Sequence, residues 1–523
     1  MIISPNSIIR ILSNVKLKKD LSHTFLFGSA GAQASYFSSK TAYTLNAQSY
    51  QRSYSNKMRI EKNVDDLYNC NYLMFQNTSF DSKWFYAFIT DMEYVNNVTT
   101  EITYEIDVMQ TFLFEGQLNP CFVERQHAES DNIGENILPE PVDTGEMVYD
   151  IGSNPYVLGT LSMCVIIAVV EATSGIDGHK IDQIYSGCKL YAYAPGDTVA
   201  IENKLDSYIS NPNKIVGLYM APASLVTNNS VVPAGGIEVT GTIVRKYYFD
   251  KPTGNESFGT YTNIKNKKLF TYPFNYLQVS TPTGQSLNLR YEFFKNDSSY
   301  PQRPYLEYFG SCLQPVQVVL RPAKYKGVDS HSMGDPISMT EQLTLDSYPQ
   351  CCWALDGFKQ WVAQNSVPIA LNTVTGVAAS AIAGGPVAAA ATAFSRTKEL
   401  ATEGYKASIA ADQCRGNVNS GNANIAHGVH SFFVARARLS PDYARMIDNF
   451  FTIYGYAQKR IMTPNRNART EFTYIKTVDS NVSGNIPANY LEHINAAYNK
   501  GITFWNNPDH IYNYNVDNSP YDY

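Results

Sequence analysis

Two groupings in this 523-residue chain have the residue types that chemistry needs. Glu124, His127 and Glu129, in the run VERQHAE, place two carboxylates around an imidazole, a set that a general acid–base pair or a metal ion uses. His427 and His430 are spaced like two ligands, but they stand in a Gly/Asn loop with no adjacent carboxylate or cysteine. The first grouping reads as a structural salt-bridge cluster. The second reads as a solvated or hydrogen-bonded loop pair. Two carboxylates for glycoside hydrolysis can be chosen from 47 acids in many ways, and nothing marks one pair out. The phosphate loop G-x-x-x-x-G-K-[ST], the dinucleotide fingerprint G-x-G-x-x-G, the nucleophile elbow G-x-S-x-G, H-E-x-x-H and C-x-x-C are all absent. The expectation is a protein that is not an enzyme, with no catalytic residue, metal ligand or cofactor.

Composition points to a structural role. The net charge of −6 argues against a generic nucleic-acid binder, which would be basic. The 38 tyrosines and 25 phenylalanines, against 12 methionines, suit strands and interfaces. The length allows roughly three to five domains or one large composite. Eight cysteines at irregular spacings read as mostly reduced, buried thiols. At the N-terminus the positive charges follow short apolar pieces rather than precede them, unlike a signal peptide, so synthesis in a cytoplasm is expected.

The elements that would position any site are legible in part. Glu101, Thr103, Glu105 and Asp107 alternate with Ile102, Tyr104, Ile106 and Val108, the period of a half-buried strand. From Trp84 to Glu124 there are seven acids and no lysine or arginine, which reads either as a solvated sheet face or as a negatively charged inner wall. Residues 121–350 show short apolar runs between turn signals, SMCVIIAVVEA at 162–172 among them, with a helix expected near 201–211. The composition then changes. Trp361–Ser395 is 35 residues without a charge, split by Gly384, Gly385 and Pro386 into two apolar arms. Alanine favours helix and Gly-Gly-Pro breaks it, so a helical hairpin is one form it can take. Three readings of this stretch stand: a permanent transmembrane anchor, a helical hairpin in a soluble core, or a membrane element hidden in one state and exposed in another. Residues 431–476 carry eight basic side chains and three acids, and Ser-Pro at 440–441 marks a helix start over 440–456.

Two blocks carry a family resemblance. YLMFQN, KWFYAF and YEIDVMQTF within 71–114, and FFTIYGY, NRNARTEFTYIKT, SGNIP and KGITFW within 432–505, resemble the tail knob (distal tail tube) proteins of small short-tailed, protein-primed phages of Gram-positive bacteria. The order of the blocks agrees, and the apolar stretch lies where that family carries its long hydrophobic loop. The resemblance implies a mainly β fold with some α, composite β-barrel-like tube domains in a hexameric ring, and a long apolar, partly helical loop. It divides the chain into a first part of the tube body (1–120), a β-rich knob (121–350), a hydrophobic plug and membrane-active loop (351–427) and a second part of the tube body (428–523). It implies a virion protein at the distal end of the tail, whose apolar loops plug the lumen and then form a pore in the host membrane. Val367, Ile369, Leu371, Val374, Val377, Ile382, Val387 and Phe394 would be the plug and membrane residues, and Glu101, Glu105 and Asp107 the acidic lumen wall. The implied partners are five further copies of the chain, upstream tail tube and connector proteins, genomic DNA passing without sequence recognition, the host membrane, and a tip-associated hydrolase. Readings from other classes are a tail-borne cell-wall hydrolase or depolymerase, and an adhesin that grips wall polymer through tyrosines of 121–350.

Overall fold

The computed structural model describes residues 6–48, 56–78, 81–158, 163–171, 180–181, 184–185, 187–208, 210–211, 214–228, 231–241, 243–312, 316–328, 341–345, 348, 350–352, 417–419 and 431–516. The fold is mainly β with few helices. The chain forms two compact units, each discontinuous in sequence: Met1–Asp143 with Gly259–Leu269 and Pro441–Tyr523, and Thr144–Phe258 with Phe270–Ser440.

The first unit is built from the two ends of the chain. Its strands begin with β1 (Ser7–Ser13), β2 (His23–Phe25), β3 (Thr41–Gln48), β4 (Lys57–Ile60), β5 (Cys70–Asn77), β6 (Phe85–Asn96), β7 (Thr99–Ile106), β8 (Gln117–Leu118) and β9 (Cys121–Gln126). One antiparallel sheet has the order β3-β1-β5-β6-β7-β4. The alternation read at 101–106 is present in β7, where Ile102, Tyr104 and Ile106 are buried while Glu101 and Thr103 are half-exposed and Glu105 is exposed. A second sheet orders β2, Ile502–Trp505, Phe472–Val478, β9 and Tyr456–Met462, so residues from both ends share one ladder. Helix Ala488–Lys500 packs Ile494, Ala497 and Tyr498 into the same core as Ile475, Ile502, Phe504 and the apolar faces of β1, β5 and β7. Trp505 and Phe472 join Phe25, Phe37, Tyr72 and Tyr86 in a neighbouring aromatic cluster. Burying each such ring contributes about 1.5–3 kcal/mol, which explains why the aromatic-rich blocks sit at the centre of this unit.

Helix Pro441–Tyr454 starts one residue after Ser440 and ends at Gly455. Gly455 has φ +65°, and a Cβ there would stand 2.4 Å from the Gln126 carbonyl carbon. Only glycine lets the chain turn from this helix straight into the strand beside β9.

The second unit holds three larger sheets. In the first, Met163–Val169 is flanked by Lys189–Tyr193 and Ile215–Pro222, and every residue of MCVIIAV is buried. Alternate residues feed two cores: Cys164, Ile166 and Ala168 face one cluster, while Val165, Ile167 and Val169 meet Ile201 and Leu205. Those two residues belong to helix Thr198–Asp206, which begins earlier than the 201–211 expected, because Asp197 caps it by accepting from the Ala200 amide at 3.3 Å, and it ends earlier, at a C-cap on Ser207. The other two sheets order Met147–Asp150, Phe433–Leu439, Asn275–Ser280 and Ser286–Leu289, and Arg245–Tyr248, Tyr305–Ser311, Gln317–Pro322 and Leu343–Leu345.

Several expectations need correction. The break after residue 120 falls after Asp143 in the structure, because β9 pairs with Tyr456–Met462 and Phe472–Val478. The break at 428 falls at Ser440, because Phe433–Leu439 pairs with Asn275–Ser280 and Met147–Asp150 in the second unit. Gly259–Leu269, placed within the knob, belongs to the first unit. Among the described residues the six-stranded sheet of the first unit is open, with β3 and β4 at its edges, rather than a closed barrel. Of the expected plug segment, Cys351 and Cys352 pair antiparallel with Val418 and Asn417, in a ladder that Gln350 extends to Asn419. Val367, Ile369, Leu371, Val374, Val377, Ile382, Val387 and Phe394 lie outside the described residues, as do His427 and His430. Among the described residues no helix is long and apolar enough to cross a membrane. Cys70, Cys121, Cys164 and Cys312 are buried free thiols, and burial pushes their pKa values up, as it does that of the half-buried Cys188.

Candidate functional site

The acidic face is the site that the sequence singled out within the described residues. Strands β6 and β7 form a hairpin, with Glu93 opposite Glu101, and β4 pairs with the outer side of β7. Two like charges directly across a ladder repel. The fold supplies the remedy from β4. Lys57 stands 3.0 Å from one Glu101 oxygen and 3.3 Å from Glu93, and Arg59 Nε lies 2.9 Å from the other Glu101 oxygen. Hydrogen bonds from Lys57 and Arg59 hold the Glu101 pKa below its ordinary value, and Glu101 raises that of Lys57. Glu101 is therefore a neutralised member of a mixed-charge ladder. Glu105 and Asp91 remain exposed.

Asp107 does not belong to this face. It follows the last residue of β7 and caps the short helix Val108–Thr111, accepting from the Met109 and Gln110 amides at 3.1 and 3.0 Å and from the Tyr72 hydroxyl at 2.9 Å. It is 1% exposed. Burial pushes its pKa up to about 6, against the lowering effect of those three hydrogen bonds. The signal for this was in the sequence: Asp107 followed three residues later by Gln110 has the spacing of a helix-capping pair. The strand's period of two, carried one residue too far, hid it.

The residues of VERQHAE do not converge. Glu124 pairs with Lys476 at 2.9 Å, and Glu129 accepts from the Asn465 side-chain amide. His127 is fully buried; its Nδ1 accepts from the Tyr474 amide at 2.8 Å, so its Nε2 donates to the Thr452 carbonyl at 3.0 Å. Burial first, and Arg469 nearby, hold its pKa well below the ordinary value, so the ring is neutral. It is a strut between two segments of the first unit. No group of His, Cys, Asp and Glu capable of holding a metal ion occurs among the described residues.

A buried polar centre in the first unit escaped the sequence reading. Glu140 meets Arg125 with one carboxylate oxygen and Lys268 with the other, and also accepts from the Ala457 amide at 3.0 Å. Asp131 accepts from the Tyr456 hydroxyl at 2.6 Å and the Lys267 amide at 2.9 Å. Asp448 accepts from the Lys265 and Asn266 amides at 2.9 and 3.0 Å. These bonds fasten the inserted segment Gly259–Leu269 to the two chain ends. Nothing in local spacing announces them, since the inserted segment and its partners are more than a hundred residues apart in sequence.

Comparison with known proteins agrees with this architecture. Residues 244–519 match the family model described as Bacillus phage phi29 tail knob protein gp9, C-terminal domain, and residues 5–117 match that of the caudoviral major tail protein N-terminus. The chain is 26% identical to the tail knob protein gp9 of Bacillus phage PZA over 592 aligned positions, and 25% identical to that of Bacillus phage phi29 over 594, covering 98% of both chains in each case. The structure of the bacteriophage C1 tail knob protein gp12 has a TM-score of 0.64 to it, over 98% of this chain and 99% of that one, at 14% identity, which shows a shared fold. With more than half of its length matched by one family model and sheets built from both ends of the chain, this protein belongs to the family of the phi29 tail knob protein gp9, a structural component of the phage tail.

Proposed function

We propose that the chain forms a homohexameric distal tail tube through which DNA leaves the virion, and that its uncharged segment plugs the lumen and then enters the host membrane. The observation that carries this reading is the 35-residue run Trp361–Ser395, free of any charge, in a chain of this family. A polar linker would join the flanking segments without the aggregation hazard of an apolar one. Six such segments along a tube axis would shield one another from water and close the channel. Release into lipid would exchange one apolar environment for another, so a modest force such as internal DNA pressure would tip the balance.

The exposed carboxylates Glu105 and Asp91 support a lumen that repels phosphates, with Glu101 contributing less because Lys57 and Arg59 neutralise it. Asp107 is excluded from that role by its burial. The protein acts without catalysis. It is made in the host cytoplasm and joins upstream tail tube and connector proteins, with a tip-associated hydrolase supplying wall degradation.

The test is Ile382→Asp in phage and in purified hexamer. A charge at a membrane-buried position costs roughly 2.5–3.5 kcal/mol per copy on insertion scales. Assembly and adsorption are expected to persist while liposome leakage and DNA release are lost. Unchanged leakage and infectivity would overturn the membrane role. Degradation of wall polymer by the purified protein would instead establish the hydrolase reading, and retention on it without leakage the adhesin.

A further inference from the structure

The β6–β7 hairpin ends in a tight turn, with Asn96 paired to Thr99 across Asn97 and Val98. The tip is held in one shape by its own side chains. The Tyr94 hydroxyl donates to Asn97 Oδ1 at 2.6 Å, and the Val98 amide donates to Asn96 Oδ1 at 2.9 Å. Yet Tyr94, Val95 and Val98 are 57%, 41% and 62% exposed. Three large apolar groups fixed in place and turned to solvent are the features of a preorganised binding element.

The same unit carries a cavity of about 540 Å³, within the range of roughly 300–1,000 Å³ typical of binding pockets. Leu26, Phe27, Leu113 and Phe114 supply apolar wall, and Arg466 and Asn467 supply polar groups. Phe114 is itself 47% exposed. Arg466 is anchored from behind by a bond to the Leu113 carbonyl at 3.3 Å. Charge is complementary: Asp91, exposed on the strand leading to the tip and outside the ion pairs that Lys57 and Arg59 make with Glu93 and Glu101, supplies a carboxylate, and the cavity carries the Arg466 cation. Tyrosine and arginine are also the residue types that dominate binding energy at interfaces.

We propose that the hairpin tip Tyr94–Val98 of one copy seats in the Phe27–Phe114–Arg466 cavity of the next copy. This rests on the ring reading above and adds the contact that propagates it. Knob and socket are different surfaces, so the contact is head-to-tail. It repeats from copy to copy and closes into a ring where the rotation per step allows, instead of stopping at a pair.

The experiment uses the full-length protein, with mass measured by light scattering and native mass spectrometry. Tyr94→Asp and Phe114→Asp are each expected to convert rings to monomers, a sixfold fall in mass, without lowering the melting temperature, because both residues are exposed. A protein carrying Val95→Cys and Phe114→Cys is expected to give a ladder of covalently joined copies on oxidation, with neither single variant doing so. Asp91→Arg is expected to weaken assembly at least tenfold, and Arg466→Asp in the same chain to restore it. Rings that persist in Tyr94→Asp with no ladder from the cysteine pair would overturn this contact and leave the ring standing. Wild-type protein that stays monomeric at every concentration would overturn both.

Discussion

Glu140 and Lys268 form an ion pair in which the two side chains are 1% and 2% exposed, and Arg125 closes on the other oxygen of the same carboxylate. Burial lowers the Lys268 pKa, and Glu140 works against that loss. Removing one partner of a buried pair strands the other charge out of water, at a cost of about 3–5 kcal/mol. Glu140→Leu should therefore lower stability by that amount. Lys268→Met should cost less, because Glu140 keeps Arg125. Denaturant unfolding of the two variants checks the order, and equal losses would show that Arg125 adds nothing.

The pH dependence of stability should carry the signature of Asp107. Its native pKa of about 6 lies above its ordinary 3.8, so the folded state holds this proton more tightly than the unfolded chain. The stabilisation is complete below pH 3.8 and is lost as pH rises through 6, in all about 3 kcal/mol. His127 acts in the opposite sense, because its native pKa is depressed: its contribution is present above pH 6.5 and is lost as pH falls below that. The comparison that isolates Asp107 is wild type against Asp107→Asn, which keeps a capping oxygen. The stability gain of the variant should grow between pH 4 and 6 and be flat above about 7. A gain independent of pH would place the Asp107 pKa near its ordinary value.

Gly455→Ala should destabilise the first unit although it adds only a methyl group. The backbone there has φ +65°, and the new Cβ would meet the Gln126 and His127 backbone at 2.4–2.5 Å. Strain of this kind costs roughly 1–3 kcal/mol before the clash is counted. Calorimetry is the check, and an unchanged melting temperature would mean that the helix end and β9 separate freely.

The proposed lumen wall is best probed at Glu105. Glu105→Lys leaves the Lys57–Glu101–Arg59 ladder intact, whereas Glu101→Lys would set three cations side by side. Genome release should slow in Glu105→Lys particles, more so at low ionic strength, where screening is weakest. Release at the wild-type rate in dilute buffer would put this face away from the DNA.

Much of the fold was legible because its signals are local. The alternation at 101–106, the continuous apolar run at Met163–Val169 and the Ser-Pro start of helix Pro441–Tyr454 each follow from residues within a few positions of one another. Asp107 was misassigned because two local rules compete there, and helix capping overrides strand alternation at the final residue. The neutralisation of Glu101 by Lys57 and Arg59 was invisible because those cations precede it by more than forty residues and reach it only through strand pairing. The Glu140 centre was hidden for the same reason, with partners spread from Arg125 to Lys268.

The pairing of Gln350–Cys352 with Asn417–Asn419 has a consequence of parity. Cys352 sits opposite Asn417, so the chain leaves the sheet from its next-to-last strand and returns as the neighbouring edge strand. A segment tethered at both ends to adjacent strands has no free tip. Should it traverse a bilayer as proposed, it must come back through it, and its crossings are even in number. A ring of six would then deliver its membrane elements in out-and-back couples. The rest of each chain would stay on the side from which it came, and the sheet would serve as the gatepost for departure and return alike.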